Sequence, residues 1–242
     1  CLVISPLISL MQDQVANLRK LGIRAASINM SMGHEEALTV MESCIFGGYK
    51  FLYVSPERLA SSLFRNKLSR MKVCLIAIDE AHCISQWGYD FRPAYLEISK
   101  VRELLPGVPV LALTATATPL VVEDIQRQLS FSRPNVFRMS FDRKNLVYVA
   151  RNTENMDREM INILKATTGS AIVYCQSRAV TVDVAATLTN DDIPATYYHA
   201  GLAHEQRVLR QRDWTQGKTR VMVATNAFGM GIDKADVRVV IH

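Results

Sequence analysis

The stretch that most constrains the fold is Val73–Ile78, VCLIAI, an apolar run that leads straight into Asp79 and Glu80. A run this short, rich in Ile and Val and without polar alternation, predicts a strand buried on both faces, as in parallel sheets sheltered by helices. Open parallel sheets bind ligands outside the carboxyl ends of their strands. Two acids placed there have distinct uses. Asp79 suits holding Mg²⁺, through water, against phosphate groups. Glu80 suits orienting and deprotonating an attacking water. The competing reading of the same residues is a strand that ends in a solvated acidic turn.

The rest of the chain repeats the alternation that such a sheet requires. Leu2–Ile4 is apolar and is followed by Ser5-Pro6, a predicted N-cap and first helical residue. Leu7, Leu10, Met11, Val15, Leu18 and Leu21 form a helical stripe that ends at Gly22. A strand over Ala25–Ile28, a helix over about Glu35–Phe46 and a strand over Phe51–Val54 follow, the last again running into Ser-Pro at Ser55-Pro56. Helix N-termini at a sheet's carboxyl edge bind phosphate, although simple capping explains either junction alone. Farther on, a helix over Ala94–Leu105 and a strand over Val110–Leu113 are expected.

A turn-rich stretch then predicts a boundary within Phe141–Asn145, dividing residues 1–142 from 143–242. The second part opens with apolar Leu146–Ala150. It continues with a helix over Glu154–Thr167, a strand over Ala171–Cys175, a helix after Ser177, and a strand over Ala195–Tyr198. A helix over Glu205–Thr215 and strands over Arg220–Ala224 and Val237–Ile241 complete it. The expected fold class is α/β, two parallel sheets with helices on both faces.

Composition excludes a few classes. With 49% hydrophobic and 21% charged residues the chain is an ordinary globular one, and no apolar run has the length of a membrane span, so no membrane partner is expected. A net charge of +5 permits a polyanionic partner without requiring one. Cys1, Cys44, Cys74, Cys83 and Cys175 include no C-x-x-C pair, which predicts reduced, mostly buried thiols in an intracellular protein rather than a zinc site or a disulfide framework.

Beyond Asp79-Glu80-Ala81-His82 lies a loop with Gln86, Trp87, Gly88, Tyr89, Phe91, Arg92, Pro93 and Tyr95. Aromatic faces stack on unpaired bases, and an arginine meets a phosphate or a π face. Trp87, set between Gln86 and Gly88, points to such use, whereas Phe91 and Tyr95 equally suit a small satellite core.

With its DEAH tetrad and the loop CISQWGYDFRP, the chain resembles the RecQ family of ATP-dependent DNA helicases. The resemblance extends through SPLISLMQDQV, YVSPERL, LTATAT, YCQSR, YHAGL and ATNAFGMGIDK, so it covers nearly the whole chain. It implies two tandem RecA-like domains, both incomplete within these residues, that use ATP and Mg²⁺ and act on single-stranded and duplex DNA with 3′ to 5′ polarity, with repair and recombination as family roles. By the same resemblance Asp79, Glu80 and His82 form the catalytic set. Gln86, Trp87, Phe91, Arg92, Thr114 and Thr116 couple DNA to ATP. Asp79, Glu80, Gly231 and Asp233 face nucleotide, and Ser5, Ser55, Arg58, Trp87, Arg92, Arg178, Thr225 and Lys234 face nucleic acid. Protein partners are not specified. The setting implied is cytoplasm or nucleoid in a bacterium and nucleus in a eukaryote.

The phosphate-cradling pattern G-x-x-x-x-G-K-[ST] does not occur in the sequence. The resemblance places it just upstream, with an adenine-reading glutamine, and places an arginine motif downstream, so the 242 residues by themselves are expected to lack ATPase activity. Two other readings remain open: an RNA helicase of the DEAD/DEAH type, and a non-catalytic nucleic-acid-binding remnant of a motor.

Overall fold

The computed structural model describes the chain except for residues 141, 142, 230, 231 and 233, and the side chain of residue 204. The chain divides into two compact units, Cys1–Met139 and Ser140–His242. Among the described residues no helix is long and apolar enough to cross a membrane.

In the first unit the strands are β1 (Leu2–Ile4), β2 (Ala25–Ile28), β3 (Phe51–Val54), β4 (Ile76–Ile78) and β5 (Val110–Ala112). They form a sheet of order β2-β3-β1-β4-β5, and every ladder is parallel. The helices are α1 (Ile8–Lys20), α2 (His34–Phe46), α3 (Ser62–Leu68), α4 (Glu97–Leu104) and α5 (Pro119–Gln128). Successive strand residues point to opposite faces. Leu2, Ile4, Leu52, Val54, Ile76 and Ile78 share a core with Met41 of α2, Phe64 of α3, Ile98 of α4 and Ile125 of α5. Tyr53 and Ala25 pack on the other face against Met11 and Val15 of α1. The absence of polar alternation in these strands follows, because both faces are covered.

The second unit repeats the plan with α6 (Met156–Ala166), β6 (Ser170–Tyr174), α7 (Arg178–Asn190), β7 (Ala195–Tyr198), α8 (His204–Thr215), β8 (Val221–Ala224) and β9 (Val237–Ile241). Its sheet, order β7-β8-β6-β9, is also parallel. Ala171, Val173, Val221 and Val223 meet Leu164 of α6 and Leu188 of α7 on one face. Ile172 and Met222 meet Trp214 of α8 and Phe228 on the other. Trp214 is fully buried and its indole N–H donates to the Ala171 carbonyl at 3.3 Å, so its one polar atom is satisfied inside the core.

Three local expectations change. The strand before the acids starts only at Ile76, and Cys74, expected inside it, is exposed. No strand forms over residues 146–150, and Val147, Tyr148 and Val149 are exposed. Ser5 does not cap α1. That helix starts at Ile8 after Leu7 with no side-chain cap, because the Ser5 hydroxyl is engaged by Asp79 instead.

Candidate active site

The acids sit where the parallel sheet predicts. β4 ends at Ile78, and the backbone then turns through Glu80, whose φ of 48° and ψ of 45° are left-handed. A side-chain-bearing residue occupies that region at a cost of about 1–3 kcal/mol, and such strain gathers at functional positions. Three hydrogen bonds hold the turn. The Asp79 N–H donates to Ile4 O at 2.8 Å, the Glu80 N–H to Asp79 Oδ1 at 3.0 Å, and the Ala81 N–H to Leu113 O at 2.9 Å.

Asp79 is anchored further. Ser5 Oγ donates to its Oδ2 at 3.1 Å, and the buried Tyr95 hydroxyl donates to its backbone carbonyl at 2.9 Å. Each carboxylate oxygen therefore has one neutral donor and keeps lone pairs for a further partner. A carboxylate beside a serine hydroxyl is an all-oxygen donor set, the kind that Mg²⁺ selects, so the residues fit the expected ion. Tyr95 is core, with no exposed surface, and Phe91 is half-buried.

Glu80 meets the imidazole of His82, with Oε2 3.3 Å from Nδ1. Burial and then the neighbouring Asp79 charge push the Glu80 carboxyl above its usual range, opposed by His82. The same Nδ1 lies 2.9 Å from Thr114 Oγ1 and 3.5 Å from Thr116 Oγ1. His82, 2% exposed, is the point at which the expected general base and both threonines of LTATAT converge. The ring of Tyr89 stacks on it at 4.9 Å and 16°, while the far face of Tyr89 is exposed.

The loop after His82 is tightly wound. The short 3₁₀ helix Ala81–Ile84 leads to Gly88, whose N–H donates to Ser85 O at 3.1 Å. A Cβ at Gly88 would lie 2.7 Å from the His82 carbonyl, so only glycine fits the approach. Trp87 projects from this loop with 66% of its surface exposed, and Gln86 is exposed beside it. Arg92 forks onto Asp90 Oδ2 through Nε at 3.2 Å and Nη2 at 3.0 Å. Cys83 Sγ lies 3.7 Å from His82 Nε2 and 3.8 Å from Asp90 Oδ2.

One tie escaped the sequence reading. Ser85 Oγ donates to Asp124 Oδ2 of α5 at 2.6 Å, and Arg127 and Gln128 bond Asp124 Oδ1. No spacing rule links a loop serine to an acid on a later helix, so only the packing reveals it. Burial alone would raise the Asp124 carboxyl, but the Ser85 and Arg127 bonds outweigh it and hold it below its ordinary value. Its contribution is present above the unfolded-state value and is lost as the pH falls through the depressed folded value. Asp124→Asn is therefore expected to cost about 1–2 kcal/mol near neutral pH and to lose that difference on acidification, as read by urea melts across pH.

The remaining expected contacts are more dispersed. Ser5 and Ser55 are buried, and Ser55 Oγ has no hydrogen-bond partner among the described residues. Arg58 is turned inward, donating to Asn29 O at 2.8 Å and Met32 O at 2.5 Å. The second Ser-Pro junction opens a 3₁₀ helix, Pro56–Ala60. In the second unit, Ser177 caps α7 through Val180 N–H, and the exposed Arg178 lies so close to Gly201 that a Cβ there would be 2.9 Å from its guanidinium. YCQSR and YHAGL thus meet. The half-buried Thr225 donates its N–H to Tyr198 O at 3.2 Å. Lys234 bonds Thr215 O at 3.1 Å, pairs with Asp236 at 2.8 Å and lies over Trp214. At Gly229 the close neighbour is the Tyr174 hydroxyl rather than an open ligand space. Gly231 and Asp233 lie outside the described residues.

Against known proteins, the DEAD/DEAH box helicase profile matches residues 1–125, and the helicase conserved C-terminal domain matches residues 153–242. The chain belongs to the DEAD/DEAH box helicase family. It is 44% identical over its whole length to the ATP-dependent DNA helicase RecQ of Pasteurella multocida, covering 38% of that protein, and 44% identical to RecQ of Bacillus subtilis, covering 41%. The chain thus spans about two fifths of the length of these relatives. Among solved structures, Mycobacterium smegmatis helicase Lhr bound to single-stranded DNA and AMP-PNP aligns with a TM-score of 0.69 at 21% identity, over 99% of this chain and 35% of that one, which is a likeness of fold.

Proposed function

We propose that this chain is the hydrolytic and coupling core of an ATP-dependent DNA helicase moving 3′ to 5′ on single-stranded DNA. The observation that carries the reading is the convergence on His82, where Glu80 Oε2 at 3.3 Å and Thr114 Oγ1 at 2.9 Å meet one imidazole that carries an exposed aromatic ring on its face. Glu80 accepts the proton of a water that attacks the terminal phosphate of ATP. Its raised basicity favours that role, and its left-handed backbone aims the carboxylate. Asp79, with Ser5 behind it, would hold Mg²⁺, and the ion when bound neutralises phosphate charge. Trp87 offers a stacking surface to an unpaired base. Displacement of the loop there reaches Glu80 through Tyr89 and His82, which is a physical route from DNA occupancy to catalysis.

The test is ATP hydrolysis by a longer polypeptide that carries this chain together with a G-x-x-x-x-G-K-[ST] segment, with single-stranded DNA or RNA of equal length. Strong stimulation by DNA and little by RNA is expected. Stimulation by RNA alone would move the protein to an RNA helicase. Absence of hydrolysis with either would favour a binding remnant. The 242 residues by themselves are expected to show negligible turnover.

A further inference from the structure

We propose that His82, Cys83 and Asp90 form a site for a borderline-soft divalent cation of the zinc class, separate from the oxygen-lined Mg²⁺ position at Asp79. The donor atoms of the three residues all lie within 4.8 Å of one another. Sγ of Cys83 stands 3.7 Å from Nε2 of His82 and 3.8 Å from Oδ2 of Asp90. Tetrahedral Zn²⁺, with bonds of about 2.0–2.3 Å, sets its ligands about 3.3–3.8 Å apart. Small side-chain rotations close the set.

The donor chemistry chooses the metal. One imidazole nitrogen, one sulfur and one carboxylate oxygen favour zinc over magnesium, which prefers oxygen alone. The imidazole is already oriented for the task. Its Nδ1 faces Glu80 Oε2, which as a carboxylate only accepts, so Nδ1 carries the proton and Nε2 presents a lone pair toward Cys83. A carboxylate behind a ligating histidine is the usual outer support of a metal site. His82 and Cys83 are 2% and 1% exposed, while the Asp90 side chain is 38% exposed, so the trio opens to solvent on the Asp90 side and leaves the fourth position for water. The loop closes behind it through the Arg92 N–H donated to Cys83 O at 2.9 Å.

On binding, the Cys83 thiol releases its proton to solvent as the metal–sulfur bond forms, with no electron transferred. Asp90 turns part of its charge from Arg92 to the ion. The ion then clamps the aromatic loop to the imidazole. Inhibition of DNA-stimulated hydrolysis follows from that clamp. This consequence rests on the proposed helicase function, whereas the binding itself does not.

The experiment titrates the tag-free, reduced 242-residue chain with Co²⁺ and follows the thiolate-to-cobalt charge-transfer band in the near ultraviolet, with Zn²⁺ as competitor. One equivalent of cobalt, displaced by Zn²⁺ and indifferent to Mg²⁺, is expected. Cys83→Ser should remove the band and Cys74→Ser should leave it. Asp90→Asn, at a half-exposed position that does not threaten folding, should weaken Zn²⁺ binding by about tenfold or more. Circular dichroism establishes that each variant is folded. Should Cys83→Ser not fold, the Asp90→Asn affinity decides alone. No band in the parent chain, a band that survives Cys83→Ser, or unchanged affinity in Asp90→Asn would overturn the proposal. ATP and DNA are absent throughout, so failure here is distinct from failure of the helicase reading.

Discussion

Glu80→Gln is expected to lower ATP turnover by about 10²–10⁴-fold in a polypeptide that carries this chain with a phosphate-binding loop, the range by which a positioned general base accelerates a step. The amide keeps the shape of the carboxylate and can still accept from His82 Nδ1, now 3.3 Å from Glu80 Oε2. It cannot accept a proton from water. The left-handed turn and the Asp79 anchors remain, so nucleotide binding and the melting temperature should stay near those of the parent. Single-turnover hydrolysis with a fluorescent nucleotide separates binding from chemistry. Parental turnover in Glu80→Gln would remove Glu80 from the mechanism.

Trp87→Ala should act on a different quantity. Loss of one stacked base costs about 1–3 kcal/mol, or roughly 5- to 150-fold in the DNA concentration that half-stimulates hydrolysis. Basal hydrolysis should hold, because the ring is 66% exposed and neither the Asp79 anchors nor the His82 bonds involve it. The measurement is a titration of ATPase rate with single-stranded DNA beside the rate without it. Equal loss of both would show that the loop serves catalysis generally rather than coupling.

The alternation of strands and helices is legible because the inner strands of each sheet are covered on both faces and the strands are short runs bounded by turns; Phe51–Val54 and Ala195–Tyr198 form strands over the residues so bounded. Asp79-Glu80 was legible for the same reason, standing where an apolar run stops. What lay beyond the reach of spacing was side-chain competition. Ser5 has the composition of a helix cap, yet a carboxylate 74 residues away claims its hydroxyl. Arg58 donates to two backbone carbonyls, a pairing that its place after Ser55-Pro56-Glu57 does not announce. Tyr89 was one aromatic among several until the fold laid it on His82. Cys83 has no second cysteine at a metal-binding interval, and only the fold sets it beside an adjacent histidine and an acid across a loop.

The parallel registers carry a consequence for how the polypeptide comes into being. In β1, Leu2 is flanked by Leu52 of β3 and Ile76 of β4, so no neighbour of this inner strand is a hairpin partner. At about 5–20 residues per second, a ribosome delivers the second of those neighbours several seconds or more after the first strand. Until β3 emerges β1 has both of its hydrogen-bonding edges unpaired, and the edge that β4 will fill stays open for the whole interval. Closing such distant pairings is slow, since loop entropy is lost before contacts form. The arrangement that gathers Ser5 and Asp79 at one sheet edge therefore also leaves an extended apolar segment waiting for its partners while the first unit is being made.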